Sequence, residues 1–208
     1  MVRRILFATV AAFGLAWAAH DARAIDLPTA KGALALANAK VDTNAQNQVI
    51  VIEGNRSDSD LRPRQWDITM FDTNRVNNGL LVRVKDGAVV SQSGSVRMFD
   101  DAHWNHFDRN LSGYSTKEIV NLKRWKLDSD QILRVAQTHP KLAGLQVMEV
   151  VLTLRKASDG DVPPVWRIKV RARPQNNPRR EGWIGYLEYN AENGELLGDE
   201  LYTGSLLR

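Results

Sequence analysis

The sequence predicts an α+β fold made of two similar units. The motif Pro-x-x-Trp occurs at residues 63–66 and again at 163–166, about 100 residues later. Each Trp opens a run that alternates apolar and polar residues, as expected of a strand with one buried face. A second strand pattern follows each run, with a turn at Asp86-Gly87 and then at Asn193-Gly194. Repetition at a fixed spacing indicates an internal duplication.

Residues 1–24 have the pattern of a cleaved signal peptide. Arg3 and Arg4 precede an apolar stretch over 5–19, which is too short to span a bilayer comfortably. Ala22-Arg23-Ala24 is a small-x-small cleavage site. We therefore expect a periplasmic or secreted protein that begins at Ile25, without a later transmembrane segment. The alternative is an uncleaved N-terminal anchor.

Composition excludes several kinds of site. The formal net charge falls from +4 to +2 without residues 1–24, because three of the 28 basic and one of the 24 acidic residues lie there. This near-neutral charge argues against general binding of polyanions, and we expect no nucleic-acid partner. The chain has no cysteine, which excludes disulfides, thiolate metal sites and cysteine nucleophiles.

Residues 25–94 form the first predicted unit. An Ala- and Leu-rich segment after Pro28 predicts a helix within 28–41. Strand patterns and turn residues then predict, in order, a buried strand at 48–54, a loop at 55–60, a strand at 64–72, a turn at 77–79, and a hairpin of strands 80–85 and 88–92.

Residues 128–208 form the second predicted unit and repeat this order. Asp128 and Gln131 form a capping-box pattern before a helix over 130–138, which His139-Pro140 ends. The strands are predicted at 145–156, 166–173, 183–190 and 195–201, with a loop at 174–178. In each unit one helix would lie across about four antiparallel strands, so that each buries an apolar face.

Residues 95–127 connect the units and have no counterpart in the repeat. The segment is aromatic, with Phe99, Trp104, Phe107 and Tyr114, so we expect it to pack against the units. Ser115 and Glu118 form a second capping-box pattern, which predicts a short helix ahead of Ile119 and Leu122.

The closing strands carry a family resemblance. Residues 186–196 read Tyr-Leu-Glu-Tyr-Asn-Ala-Glu-Asn-Gly-Glu-Leu, and the matching part of the first unit, 82–89, has a shorter turn. With a helix near the start and a Trp-led strand, this pattern resembles the PepSY and PepSY-like domains of exported bacterial proteins over most of the chain after residue 24. The resemblance implies two tandem cystatin-like units, each with a helix on a curved antiparallel sheet. It also implies a noncatalytic module that acts as propeptide inhibitor, folding helper or binding domain.

Cations cluster on one predicted strand and in the loop after it. Arg167, Lys169, Arg171 and Arg173 alternate, so they share one face of the strand, and Arg179 and Arg180 follow. One interpretation is a docking face for an acidic partner protein, an anionic glycan or lipid headgroups. The other is a solvated sheet face neutralised by carboxylates on neighbouring strands, such as Glu149 or Glu188.

Other candidate residues are histidines and tryptophans. His103 and His106 lie among carboxylates in residues 100–108 and would share a helical face, a set that suits zinc or copper. The alternative is a polar connector, because the spacing fixes no third ligand, and we predict no cofactor. Trp66 and Trp166 are expected in the core. An exposed tryptophan among Trp104, Trp125 and Trp183 would be a candidate contact for a partner.

These observations favour a binding protein over an enzyme. The sequence has no Gly-x-Ser-x-Gly, no His-Glu-x-x-His and no phosphate-binding glycine loop. We expect an exported, noncatalytic protein that binds another exported protein as inhibitor, chaperone or assembly factor. The alternative is a binder of a small ligand, an envelope lipid or glycan, or a metal ion.

Overall fold

The computed structural model describes residues 28–57, 60–94 and 113–204 and has an α+β fold. Its first half contains helix α1 (Ala30–Asn38) and strands β1 (Val49–Ser57), β2 (Pro63–Phe71), β3 (Gly79–Lys85) and β4 (Ala88–Gly94). The second half repeats the order with helix α2 (Ser129–Gln137) and strands β5 (Leu145–Lys156), β6 (Pro164–Pro174), β7 (Gly182–Asn190) and β8 (Leu196–Leu201). The eight strands form one antiparallel sheet in the order β4-β3-β2-β1-β5-β6-β7-β8.

The two halves join where β1 pairs with β5. Glu53 lies opposite Thr153, and on either side of this pair Ile52 faces Leu154 and Gly54 faces Leu152. The register is therefore symmetric about the Glu53–Thr153 pair, because the pairs on its two sides become each other when each residue is replaced by the one 100 positions away. The described halves are continuous with each other through this junction, as neighbours in a single sheet.

Both helices lie on the same continuous core. The Ala-rich stripe of α1 (Ala30, Ala33 and Ala37) is fully buried, so the helix backbone can approach the sheet closely. The two helix N-termini meet: Ala30 N–H donates to Ser129 Oγ at 3.0 Å, and Lys31 N–H donates to Asp128 Oδ1 at 3.2 Å. One cluster of buried side chains contains residues of both halves.

The repeated tryptophans occupy equivalent places in this core, as the sequence predicts. Trp66 and Trp166 are both 0% exposed. The Trp66 indole donates to the Pro28 carbonyl and the Trp166 indole donates to the Leu127 carbonyl, each at 2.9 Å. Each of these carbonyls belongs to the residue before a helix N-cap. The same hydrogen bond therefore fixes the start of each helix to its sheet.

The predicted helices and strands are confirmed, with two corrections. Residues 55–57 were expected in a loop but extend β1, where Asn55 and Ser57 pair with β2. The helix expected after Ser115 is only a 3-10 turn at Thr116–Glu118, although its capping box forms. The chain leaves this turn extended because Val120 N–H donates to the Val49 carbonyl at 2.8 Å.

The described part of the connecting segment packs against both halves. Val120 and Trp125 are buried in the common core, at 2% and 4% exposure. Arg124 forms an ion pair of 2.7 Å with Glu192, in the turn between β7 and β8. Phe99, Trp104 and Phe107 lie outside the described residues.

Candidate protein-binding face

The alternating cations of β6 lie on the side of the sheet opposite the helices. Between them, Ile168, Val170 and Ala172 are buried, at 1%, 1% and 0% exposure. We call the side of β5, β6 and β7 that faces away from the helices the cationic face. It comprises Arg167, Lys169, Arg171 and Arg173 with the neighbouring aromatic side chains Trp183 and Tyr186.

Arg167 is held tightly at the centre of the cationic face. Its Nε donates to Glu188 Oε1 at 2.9 Å, and its guanidinium lies 4.4 Å from the centroid of the Tyr186 ring. Only 12% of its side chain is exposed. Arg155 on β5 donates to the same Glu188 oxygen at 3.0 Å. Arg167 therefore serves mainly to hold β5, β6 and β7 together.

Arg171 is also neutralised by carboxylates. It contacts Glu149 on β5 at 3.3 Å and Glu181, just before β7, at 2.7 Å. Glu149 and Glu188 are the two carboxylates that the sequence indicates as neutralising partners. For Arg167 and Arg171 the geometry therefore fits the second interpretation of the sequence, in which carboxylates on neighbouring strands neutralise the cations of the sheet face.

Lys169 and Arg173 differ from their neighbours on β6. Within residues 28–57, 60–94 and 113–204, neither forms an ion pair with a carboxylate. Lys169 is exposed, with its Nζ 5.1 Å from the centroid of the Trp183 ring. Arg173 donates from Nε to the neutral Gln146 Oε1 at 3.0 Å, so its charge is not compensated by any carboxylate in the described ranges. Arg179 and Arg180 are exposed in the loop between β6 and β7.

Exposed aromatic side chains lie on β7 and just after β8. Trp183 is 44% exposed and Tyr202, just after β8, is 65% exposed. The Tyr202 hydroxyl donates to Glu200 at 2.7 Å, and this hydrogen bond raises the pKa of Tyr202. Trp183 thus meets the sequence criterion of an exposed tryptophan, whereas Trp125 is buried edge-on against Trp166 with ring centroids 6.0 Å apart. Tyr202 was not among the candidates taken from the sequence, because the residues around it have no pattern that signals exposure.

The structure does not place the proposed metal ligands relative to the cationic face. His103, His106 and the rest of 100–108 lie outside the described residues. In the described ranges, no group of three or more histidine, aspartate or glutamate side chains is arranged to hold a metal ion. His139 instead accepts a hydrogen bond from Lys141 N–H at 3.3 Å and lies 3.6 Å from Asp199.

A small depression lies between the N-termini of the helices. Its volume is about 160 Å³, and Thr29, Arg62, Trp66 and Asp130 are among the residues that line it. Pockets that enclose a drug-sized ligand are larger, at about 300 to 1,000 Å³. The amides of Ala30 and Lys31 are already bound by Ser129 and Asp128, so they do not offer a free anion site.

Two further findings concern membrane crossing and similarity to known proteins. Neither helix in the described ranges has the length and apolar character needed to cross a membrane. Comparison with family models, with curated proteins and with solved structures found no match to this chain.

Proposed function

We propose that this chain is an exported, noncatalytic protein that binds another exported protein through the cationic face. The partner contributes an acidic segment, and the contact centres on Lys169, Arg173 and Trp183. Arg179 and Arg180 extend the positive charge beyond the end of β6. The roles open to such a protein are those of an inhibitor, a chaperone or an assembly factor.

The single observation that carries the proposal is the difference between the cations of β6. Arg167 and Arg171 are compensated by Glu188, Glu149 and Glu181. Lys169 and Arg173 keep their charges uncompensated among the described residues, and Lys169 lies over the exposed ring of Trp183. Tryptophan and arginine are the residues most enriched where binding energy concentrates in protein interfaces.

The chemistry of the face favours an acidic partner segment. Carboxylates that approach Lys169 and Arg173 gain attraction without first displacing an internal ion pair. The Trp183 ring offers apolar area next to them, so that a partner side chain can bury itself against the ring. Attraction between exposed charges of this kind is screened by salt, so the association should weaken as ionic strength rises.

The two halves are proposed to be tandem PepSY-like, cystatin-like units that share one sheet. The equivalent indole hydrogen bonds of Trp66 and Trp166, and the symmetric register about Glu53 and Thr153, support this proposal. Export to the periplasm or beyond rests on residues 1–24 of the sequence, which fit a cleaved signal peptide.

The proposal is tested by charge reversal with a matched control. The double substitution Lys169→Glu and Arg173→Glu reverses the uncompensated cations of the face. Lys40→Glu with Lys85→Glu makes the same change of net charge at two exposed lysines of the first half. Each purified protein is immobilised and exposed to the exported proteins of the source cells, and the retained proteins are identified and quantified.

The expected result is one dominant exported protein, retained in stoichiometric amount by the original chain and by the control. The Lys169 and Arg173 variant should lose at least about tenfold of it, as for the loss of a centrally placed contact in an interface. Equal retention by both variants would contradict the proposed face. Retention of an anionic glycan or lipid instead of a protein would contradict the proposed class of partner and favour the alternative binder.

A further inference from the structure

The two edge strands of the sheet differ in charge, a difference that the proposed function does not use. β4 forms one edge and β8 forms the other. Residues 88–94 of β4 read Ala-Val-Val-Ser-Gln-Ser-Gly, without a charged residue or a proline. Each of the other seven strands contains at least one charged residue. Along β4 only Val89 is partly covered, and its other residues are exposed.

Edge strands are normally protected from pairing with other chains. In an antiparallel sheet, every second residue of an edge strand turns its N–H and C=O groups outward, where another strand can bind them. Charged side chains and prolines on the edge usually prevent this. β8 has such protection, because Asp199 and Glu200 lie in it. Within the described residues, the protection that β4 has is a break in its register with β3 between Arg83 and Val84.

We propose that β4 is a self-association edge, at which a second copy of this chain adds its own β4 antiparallel and extends the sheet. The lack of charge in β4 favours the second copy as occupant at this edge, because two copies of the strand would not repel each other. In an antiparallel pair of identical strands, residues equally far from the centre of the pair face each other, so a charge near the centre lies close to the like charge of the second copy. β4 has no charged residue, whereas a β8 pair centred on Asp199 and Glu200 would bring these two residues against the same two acidic residues.

The junction inside the molecule shows the same mode of pairing. β1 and β5 join the two halves edge to edge through only four opposed residue pairs, with a register that is symmetric about one pair. A β4 pair centred on Ser91, the middle residue of the strand, would have the same local symmetry. Ser91 lies opposite Arg83 of β3, on the side of the sheet that the helices leave uncovered.

The association should be weak and reversible. A single added strand buries less surface than the roughly 1,200 to 2,000 Å² of a stable interface. Sedimentation velocity of the purified protein over about a hundredfold range of concentration should therefore show a monomer that shifts toward a dimer by mass action. Hydrogen exchange at the two ends of that range should show protection rising in β4 and unchanged in β8.

Substitutions at Ser91 identify the edge. Ser91→Glu faces Arg83 within the fold, so it should not disturb folding, yet it puts like charges at the centre of the proposed pair. Ser91→Lys puts like charges of the opposite sign at the centre of the pair, and it is tolerated next to Arg83 because Asp67 already compensates the Arg83 charge. Each variant alone should be at least about tenfold weaker in self-association, and an equimolar mixture of the two should recover the dimer as a mixed species. Leu197→Glu, at a half-exposed position of β8, is the control and should leave the dimer unchanged.

Several results would overturn the proposal. One is a monomer at every concentration, and another is a dimer that Ser91 substitutions leave intact. A dimer lost with Leu197→Glu would assign the contact to β8. Protection of β4 that appears only when other exported proteins are added would assign the edge to a different partner. Because the Ser91 variants leave Lys169 and Arg173 unchanged, this proposal and the proposed function can fail separately.

Discussion

The equivalent tryptophans allow a stability prediction that compares two sites within one chain. Trp66→Phe and Trp166→Phe each remove an indole N–H from a fully buried ring. The consequences differ because the Leu127 carbonyl accepts two indole hydrogen bonds, from Trp166 at 2.9 Å and from Trp125 at 2.8 Å. The Pro28 carbonyl accepts from Trp66 alone among the described residues. Trp66→Phe therefore leaves a carbonyl without its partner, whereas Trp166→Phe does not.

The difference in free energy of unfolding follows from this count. A buried polar group that loses its hydrogen bond costs about 1 to 3 kcal/mol. The loss of ring volume is the same at both positions, so it cancels to first order in the comparison. We expect Trp66→Phe to be less stable than Trp166→Phe by about 1 to 2 kcal/mol. With a typical slope of about 2 kcal/mol per molar urea, the two unfolding midpoints should differ by about 0.5 to 1 M.

The assay is urea unfolding of the purified proteins, followed by far-ultraviolet circular dichroism so that the signal does not depend on the tryptophans. Gly54 provides a second check, because a Cβ there would lie 2.5 Å from Cζ3 of Trp66. Gly54→Ala should destabilise the original protein more than it destabilises the Trp66→Phe variant, which lacks that ring atom. Equal midpoints for the two Phe variants, or a less stable Trp166→Phe, would refute the reasoning from the Leu127 and Pro28 carbonyls.

Three further predictions concern stability. Gly185 has φ of +116°, and a Cβ there would collide with the Glu200 carbonyl, so Gly185→Ala should cost more than about 2 kcal/mol in urea unfolding; Gly182→Ala, where a Cβ meets open space, is the control and should stay within about 0.5 kcal/mol. Glu188→Gln removes the carboxylate charge that Arg155 and Arg167 share, so the two guanidinium groups repel each other. The change should cost about 1 to 2 kcal/mol of stability, and this loss should shrink in high salt. A loss that salt does not change would show that repulsion between Arg155 and Arg167 is not the cause. The hydrogen bond from Arg124 holds the pKa of Glu192 below its ordinary value of 4.5. The pair therefore stabilises the fold above pH 4.5, and this stabilisation is lost as the pH falls through the lowered pKa. Glu192→Gln should make acid unfolding less steep, and an unchanged profile would contradict a role for this pair.

Local patterns in the sequence predict much of this fold. The two-residue turn between β3 and β4 follows from Asp86-Gly87, and both residues have positive φ, at 48° and 79°. The start of α2 follows from Asp128 and Gln131, whose capping box is present. In each case the residues that decide the geometry are neighbours in the chain, so a short window of sequence contains the information.

The junction of the two halves could not be predicted in the same way. β1 and β5 are about 100 residues apart, and their pairing depends on two edges that each half could equally have left open. A signal was present, however. The runs at 49–52 and 150–152 are continuously apolar rather than alternating, which is typical of strands in the middle of a sheet.

The candidate site was predictable in part. Period-two alternation places Arg167, Lys169, Arg171 and Arg173 on one face, and the structure has them there. The sequence could not decide which of them would be neutralised. Bulges shift the registers of β5 with β6 and of β6 with β7, so that Glu149 and Glu181 reach Arg171. In this register no carboxylate of the described residues forms an ion pair with Lys169 or Arg173.

The most direct test of the central claim is photo-crosslinking in the source cells from a probe placed at position 169. A probe at Val135, an exposed position of α2 on the other side of the sheet, is the control. If the cationic face binds the partner, position 169 gives one dominant crosslinked exported protein, with the attachment in an acidic segment, and position 135 gives no such product. Equal products from both positions, or none from position 169 while another surface crosslinks, would contradict the account.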